Sequence, residues 1–203
     1  MLELRQGRAE DAAQLSDLVL SSAPILLPYL FSSASQARQF VDLAMRQEDG
    51  QYSAVRHCVA AKDALIQGPK VVGCVTLWHS DLPERFHSYT LSSLASFLSS
   101  EQVRRLLTLN PVLTEVFVPP SSEELCIGHL AVESSQRGKG VGKELLAYAM
   151  RQAKSLNKVS LVLDVDAQND EALRFYAGCD FTQQYIKHFA PSQQSFYRMR
   201  YIL

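Results

Sequence analysis

The segment Gln-Arg-Gly-Lys-Gly-Val-Gly at residues 136–142 constrains the fold more than any other part of the chain. It follows an apolar run at residues 125–132, which predicts a buried strand, and precedes residues 143–154, whose apolar positions fall on one helical face. A glycine-rich turn between a strand and a helix exposes backbone N–H groups at the positive end of the helix dipole. The sequence therefore predicts a phosphate-binding turn.

Two familiar phosphate-binding motifs do not match this turn. A P-loop requires Gly-Lys followed by Ser or Thr, but here Gly142 and Lys143 are followed by Glu144. A dinucleotide fingerprint requires Gly-x-Gly-x-x-Gly, and neither Gly138 nor Gly140 begins one. A nucleotide-dependent enzyme is therefore the weakest interpretation of the turn.

The spacing that remains is Arg-x-x-Gly-x-Gly, formed by Arg137, Gly140 and Gly142. It resembles the acetyl-CoA pyrophosphate loop of the GNAT N-acetyltransferase superfamily. A second pattern at residues 169–181, Asn-x-x-Ala-x-x-Phe-Tyr-x-x-x-x-Phe, is similar to the second signature of that family. One departure is Asp180, where the family usually has Gly; Asp tolerates the left-handed conformation, so we expect the turn to survive. The resemblance is strong over residues 125–189 and weaker over residues 2–80.

The resemblance implies an α/β fold of the GNAT-like acyl-CoA N-acyltransferase type, with residues 1–203 forming one domain. A mixed, mostly antiparallel sheet of about seven strands would be flanked by helices, and its fourth and fifth strands would be parallel and splayed. The local patterns predict the following elements: strands at 2–6, 51–61, 70–79, 159–166, 181–189 and 196–203, helices beginning at residue 8 and spanning 34–47, and a turn at 62–69.

Residues 81–124 are longer than the usual family connection between strands 3 and 4, so we expect a helical insertion there. Residues 91–98 and 101–109 have helical patterns, and Asn-Pro at 110–111 is expected to end the second helix. Long insertions in compact domains are usually functional. We expect a lid or wall over the acceptor site, with a dimer contact or a surface helix pair as alternatives.

The function that the resemblance implies is transfer of the acetyl group of acetyl-CoA to a primary amine, by direct attack in a ternary complex. Tyr176 matches the family tyrosine near the sulfur, and a phenol with a pKa of about 10 is a workable general acid beside a thiolate; its alternative role is packing. The residues implied to bind acetyl-CoA are Leu130, Ala131, Val132, Arg137, Gly138, Lys139, Gly140, Val141, Gly142 and Asn169, the last of which also matches a helix cap.

The general base is the least defined part of this prediction. Asp164 ranks first because some relatives carry an acidic residue on the corresponding strand, and Asp166 shares its face. His129 titrates in a useful range, but a lone histidine in an apolar strand is more often a satisfied core residue. A dedicated base is also dispensable if the acceptor amine loses its proton to water. The alternative function is a regulatory GNAT-fold module that binds acyl-CoA without turnover.

Composition limits the partners. The net charge of −1 favours neither nucleic acid nor a membrane surface as a partner, and four scattered cysteines suggest reduced thiols rather than a metal site. With no apolar leader segment apparent, we expect a cytoplasmic protein. The family resemblance implies no metal. The acceptor is expected to be a small-molecule or peptide amine; residues 21–46 and 81–124 carry few acids, which mildly disfavours a polycation. A homodimer is a reasonable prior expectation.

Overall fold

A seven-stranded mixed sheet organises the computed structural model, which describes residues 2–62 and 70–203. The strand order is β1-β2-β3-β4-β5-β7-β6, and every neighbouring pair is antiparallel except β4 with β5. The mixed, mostly antiparallel sheet was predicted, as was the parallel central pair. The strands are β1 (Leu2–Gln6), β2 (His57–Lys62), β3 (Lys70–Trp78), β4 (Glu124–Val132), β5 (Ser160–Asp166), β6 (Thr182–Phe189) and β7 (Gln194–Ile202).

Helices cover both faces of this sheet, as its two apolar faces require. The helices of the described residues are α1 (Ala12–Ser22), α2 (Leu26–Leu30), α3 (Ala34–Met45), α4 (Glu84–Phe97), α5 (Ser100–Val116), α6 (Val141–Ser155) and α7 (Asp170–Ala177). One apolar cluster joins α1 and α3 to the sheet, and a second joins α6 and α7 to it. Val59 and Ala60 of β2 belong to different clusters because neighbouring strand residues point to opposite faces.

The strand predicted at residues 51–61 begins too early. Residues 51–56 form a turn and a short 3-10 helix instead, and β2 starts at His57. Local polar bonds hold the turn: the Ser53 hydroxyl donates to the Gln47 carbonyl at 2.6 Å, and Arg56 forms an ion pair with buried Asp49. The predicted turn at 62–69 falls, apart from its first residue, outside the described residues. The left-handed Asp180 is present, with φ of 64°.

Two helices, α4 and α5, lie between β3 and β4, and the predicted break at residues 110–111 is wrong. α5 continues through Pro111 to Val116, although proline removes a backbone donor and crowds the preceding turn. The reason is tertiary packing: the last turns of α5 pack against Phe189 and Phe196 of β6 and β7. The free energy gained by this burial outweighs the cost of a proline in the helix interior, which is the local effect on which the predicted break was based.

The proline in α5 leads to a prediction about stability. Pro111→Ala is expected to stabilise the protein by about 2 kcal/mol, because alanine restores the missing backbone N–H and is more favourable than proline in a helix interior. This net figure allows for an opposing effect: the unfolded chain gains conformational entropy when proline is removed. Pro111 is exposed, so no core packing is lost. Urea denaturation measures the change. Thr108→Ala, also exposed on α5, is the control and should gain only a few tenths of a kcal/mol; equal effects would contradict the prediction.

Candidate active site

A cavity of about 1380 Å³ connects the predicted phosphate turn to the two helices between β3 and β4. Its walls include β4, β5, α7, the segment around α2, and side chains of α4 and α5. Most of the predicted site residues line it: Leu130, Ala131, Val132, Arg137, Gly138, Gly140, Gly142, Asp164, Asn169 and Tyr176. The side chains of two others do not: Lys139 is exposed on the surface, and Val141 is buried in the core beneath the turn.

The centre of the cavity is the place where β4 and β5 separate. The two strands pair only from Glu124 with Ser160 to Ile127 with Leu163, although both continue beyond that point. The pairing register between β3 and β4 also shifts near Gly128, and this shift marks a β-bulge. The separation leaves one backbone edge of β4 without a neighbouring strand.

Two backbone bonds define which amides lie on that open edge. The amides of His129 and Glu133 both donate toward β3, to the Thr76 hydroxyl at 2.8 Å and the Val72 carbonyl at 2.9 Å. Because neighbouring amides of a strand alternate in direction, the N–H groups of Leu130 and Val132 face the separation. A ligand in the cavity can therefore meet strand-like donors that the sheet does not use.

The glycine-rich turn has the geometry of an anion site. Gly138 and Gly140 have φ of 72° and 85°, a region that other residues rarely adopt, and no atom lies within 4 Å of a Cβ built on either. The Arg137 amide donates to the Ser134 carbonyl, and the Glu144 amide donates to the Gly140 carbonyl. The amides of residues 138–143, which lie between them, have no acceptor in the described part of the chain. These free donors at the start of α6 fit a phosphate.

Contacts with α7 hold the turn in place. The guanidinium of Arg137 bonds the Val132 carbonyl at 3.3 Å and forms an exposed ion pair with Glu171 at 2.7 Å. Gly142 is packed against Phe175, whose ring lies 3.2 Å from a Cβ built on the glycine. The Asn169 side chain caps α7 by accepting from the Ala172 amide at 3.1 Å, the capping role that its sequence position indicated.

Tyr176 lies on the buried side of α7 and lines the cavity. Its ring packs against Phe175 and Phe181, with centroid distances of 5.2 and 5.5 Å. Burial raises the pKa of the Tyr176 phenol above its usual value, so the side chain is protonated at neutral pH. A protonated phenol in the cavity is a proton donor that becomes useful only beside a developing negative charge.

Asp164 also lines the cavity, but it has a protein partner. Its carboxylate accepts a hydrogen bond at 2.7 Å from Arg198, which lies directly opposite on β7. Burial raises the pKa of Asp164, and the Arg198 charge opposes that rise. Asp166 accepts from the Gln168 amide and from Gln194, so both carboxylates on this face of β5 are engaged.

Comparison with known proteins agrees with this arrangement. The model of the Acetyltransferase (GNAT) family matches residues 25–181. This chain belongs to the GNAT acetyltransferase family. It is 27% identical to N-acetyltransferase 8B of Rattus norvegicus over 110 residues, which is 53% of this chain and 50% of that protein. The chain thus spans about half the length of this curated relative.

Solved structures share the GNAT fold with this chain. An N-acetyltransferase from Staphylococcus aureus Mu50 has a TM-score of 0.68 at 16% identity, covering 98% of this chain and 100% of its own. A chain of the NatC complex bound to Gag peptide and CoA has a TM-score of 0.56 at 16% identity, covering 100% and 98%. At these identities the likeness concerns the fold.

The sequence interpretation considered His129 of this GNAT chain but did not foresee the contacts of its ring. The expectation of a satisfied core histidine is wrong in one respect: Nδ1 lies 2.9 Å from the Ser22 hydroxyl, but Nε2 is buried without a partner. Burial lowers the pKa of His129 to about 3. No local pattern signals this pairing, because Ser22 is 107 positions away in the chain.

Three further properties of this GNAT chain concern the described residues only. None of their helices combines the length and the apolar character needed to cross a membrane. Nor do they gather three or more His, Cys, Asp or Glu side chains into a group suited to a metal ion. All four cysteines are free thiols, and Cys58, Cys74 and Cys126 are buried, where burial raises their pKa.

Proposed function

We propose that this protein transfers the acetyl group of acetyl-CoA to a primary amine by direct attack in a ternary complex. The observation that carries the proposal is that one cavity contains the open turn, the unpaired edge of β4 and the protonated Tyr176. Family membership supports acetyl transfer, and a solved relative with the same fold is a complex bound to CoA.

The turn suits the pyrophosphate of acetyl-CoA. The free amides from Gly138 to Lys143 donate to phosphate oxygens, and the bare α-carbons of Gly138 and Gly140 let the backbone approach closely. Arg137 adds positive charge; its pairing with Glu171 is exposed and therefore weak enough to rearrange. Lys139, exposed and close in sequence, contributes charge through solvent.

The open edge of β4 suits the rest of the molecule. Backbone groups of Leu130, Ala131 and Val132 take the place of a neighbouring strand for the amide-containing arm, as an added strand would pair. An N–H on this edge is also available to stabilise the negative charge that develops on the carbonyl oxygen during attack. Asn169 lines the same cavity, and its side-chain NH₂ group is available to the arm because only its oxygen is used in the cap.

Tyr176 and Asp164 divide the proton transfers in this proposal. As the amine nitrogen bonds to the acetyl carbon and the carbon–sulfur bond breaks, Tyr176 gives its proton to the departing sulfur. The amine must also lose a proton, and Asp164 receives it through water. The raised pKa of Asp164 makes it a better base than an exposed carboxylate, within the restraint of its bond to Arg198.

Calorimetric titration with acetyl-CoA tests the cofactor, with NADH and ATP as controls. We expect micromolar binding of acetyl-CoA alone. Gly140→Ala is expected to weaken that binding at least about tenfold, because a Cβ enters the space beside the free amides and strains the left-handed backbone.

Gly50→Ala is the matched control, because Gly50 also has a positive φ, of 106°, but does not line the cavity. It should lower stability and leave the affinity for acetyl-CoA unchanged. Binding of NADH or ATP with none of acetyl-CoA would refute the proposed function.

A further inference from the structure

The acceptor end of the cavity is lined mostly by apolar side chains, with fewer polar ones, which include Gln51, His79, His87, Thr90 and Asn110. Its wall between residues 21 and 120 is formed by the segment around α2, the turn before β2, the end of β3, and α4 and α5. Among the described residues that line this part, none is Asp, Glu, Lys or Arg. Its larger apolar and aromatic side chains include Phe31, Tyr52, Trp78, Phe86, Leu94 and Phe117. We call this part the acceptor chamber.

His129 of β4, which lies beside Tyr52 and Trp78 of the chamber, offers an unused hydrogen-bond acceptor. The Ser22 hydroxyl lies 2.7 Å from the Val19 carbonyl and 2.9 Å from His129 Nδ1. When its single proton goes to the Val19 carbonyl, the Ser22 oxygen accepts from His129. In that arrangement the proton of the neutral His129 ring is on Nδ1, and Nε2 carries a lone pair. This nitrogen is buried and has no partner among the described residues.

The surroundings of His129 leave its Nε2 nitrogen without a donor in the part of the chain that the structure describes. Tyr52 and Trp78 lie beside the ring at centroid distances of 5.7 and 6.0 Å, and neither donates to it. The side chain is 8% exposed, so bulk water is largely excluded. A buried acceptor without a donor costs about 1–3 kcal/mol, which a ligand N–H would recover.

His129 belongs to the strand that we assign to acetyl-CoA. It directly precedes Leu130, whose amide faces the separation between β4 and β5, and both residues line the same cavity.

We propose that the acceptor chamber takes a small primary monoamine carried on an apolar body, and that His129 Nε2 accepts a hydrogen bond from the N–H of that amine. This inference rests on the proposed function and names its substrate class. The apolar body packs against the chamber wall, and the bond to His129 directs the nitrogen toward the β4 edge.

Other classes of amine fit the chamber less well. A polyamine would place a second ammonium against a wall without a carboxylate, which is costly in an apolar site. The same holds for a lysine side chain, whose peptide would also bring backbone N–H and C=O groups to a wall in which apolar side chains outnumber polar ones.

Turnover of a panel of amines by the wild-type protein is the first test. With 2-phenylethylamine or hexylamine, kcat/KM is expected to exceed that with spermidine or a lysine-containing peptide by at least about tenfold. Faster acetylation of spermidine or of the peptide would overturn the substrate class while leaving the proposed function standing. Binding of acetyl-CoA without turnover of any amine would instead count against the proposed function, and the next measurement then decides this inference.

Nitrogen NMR of the histidine rings tests the contact without turnover. In the wild-type protein with CoA, His129 should have a protonated Nδ1 and an unprotonated Nε2. Addition of 2-phenylethylamine should shift the Nε2 resonance toward that of a hydrogen-bonded nitrogen, and spermidine should not. An unshifted Nε2 at saturating 2-phenylethylamine, or a proton found on Nε2 of the free protein, would overturn the proposed contact.

His129→Leu tests the contribution of the bond to catalysis. We expect kcat/KM for 2-phenylethylamine to fall about tenfold while the affinity for acetyl-CoA stays unchanged. His188→Leu is the matched control, because His188 is exposed on β6 and does not line the cavity. Equal kcat/KM in the folded His129→Leu variant and the wild type would overturn the role of His129, and if that variant does not fold, the NMR measurement decides.

Discussion

Tyr176→Phe is expected to lower kcat for acetyl transfer by about a hundredfold and to leave the affinity for acetyl-CoA unchanged. Phenylalanine keeps the ring that packs against Phe175 and Phe181, so only the proton donor is lost. A positioned general acid typically contributes a factor of about 10² to 10⁴. Steady-state kinetics with saturating acetyl-CoA measure the loss, and calorimetry checks the affinity.

The raised pKa of Tyr176 is compatible with this role. Burial disfavours the phenolate, so the proton stays on the oxygen until a base forms within hydrogen-bonding reach. A thiolate released into the same desolvated cavity is a better proton acceptor than a thiolate in water, because burial raises the pKa of a thiol for the same reason. The structure thus predicts a donor that acts late, when the carbon–sulfur bond is breaking.

Tyr148→Phe is the matched control for this substitution. Tyr148 lies on α6 and packs in the same apolar cluster, but it does not line the cavity. Its variant should retain wild-type kcat. Equal kcat in Tyr176→Phe and the wild type would remove the assigned role. A wild-type protein that binds acetyl-CoA but acetylates no amine would favour the alternative of a regulatory acyl-CoA-binding module.

The parts of the site that the sequence predicted are those encoded by local patterns. The turn at residues 136–142, the face of α6 and the cap at Asn169 each depend on neighbours within a few positions. The splay of β4 and β5 came from the family resemblance, and the pairing that ends at Ile127 and Leu163 agrees with it.

The parts that the sequence missed depend on distant contacts. α5 passes through Pro111 because β6 and β7, distant in the chain, bury its last turns. The partner of Asp164 is Arg198, placed opposite by the register of β5 with β7. The lone pair of His129 depends on Ser22, which itself depends on the end of α1. Periodicity and short motifs carry no information about such pairs.

Acidification is expected to destabilise the fold by about 4 kcal/mol between pH 7.5 and pH 5, through two buried imidazoles. Burial lowers the pKa of His57 to about 4 and that of His129 to about 3, both below the ordinary value of 6.5. As pH falls below 6.5 the unfolded chain binds these protons first, so stability present at neutral pH is lost. At pH 5 each imidazole accounts for about 2 kcal/mol.

The neighbours of these rings do not offset the loss. His57 donates from Nδ1 to the Ser53 carbonyl, and His129 faces Ser22, Tyr52 and Trp78, so no carboxylate stabilises either imidazolium. The two rings also disfavour each other's charge. The raised pKa of Asp164 acts in the opposite sense, since the folded state then binds that proton first, but its effect falls in the lower pH range where carboxyl groups titrate.

Urea denaturation at pH 7.5, 6.5, 5.5 and 5 measures this dependence. His129→Leu, which removes one of the two groups, should reduce the loss between pH 7.5 and pH 5 by about half. His188→Leu, at an exposed position, should leave the loss as it is in the wild type. A wild-type stability that stays constant down to pH 5 would mean that water or a rearrangement solvates the imidazolium forms. In that case the dry environment on which the unpaired nitrogen of His129 depends would be absent as well.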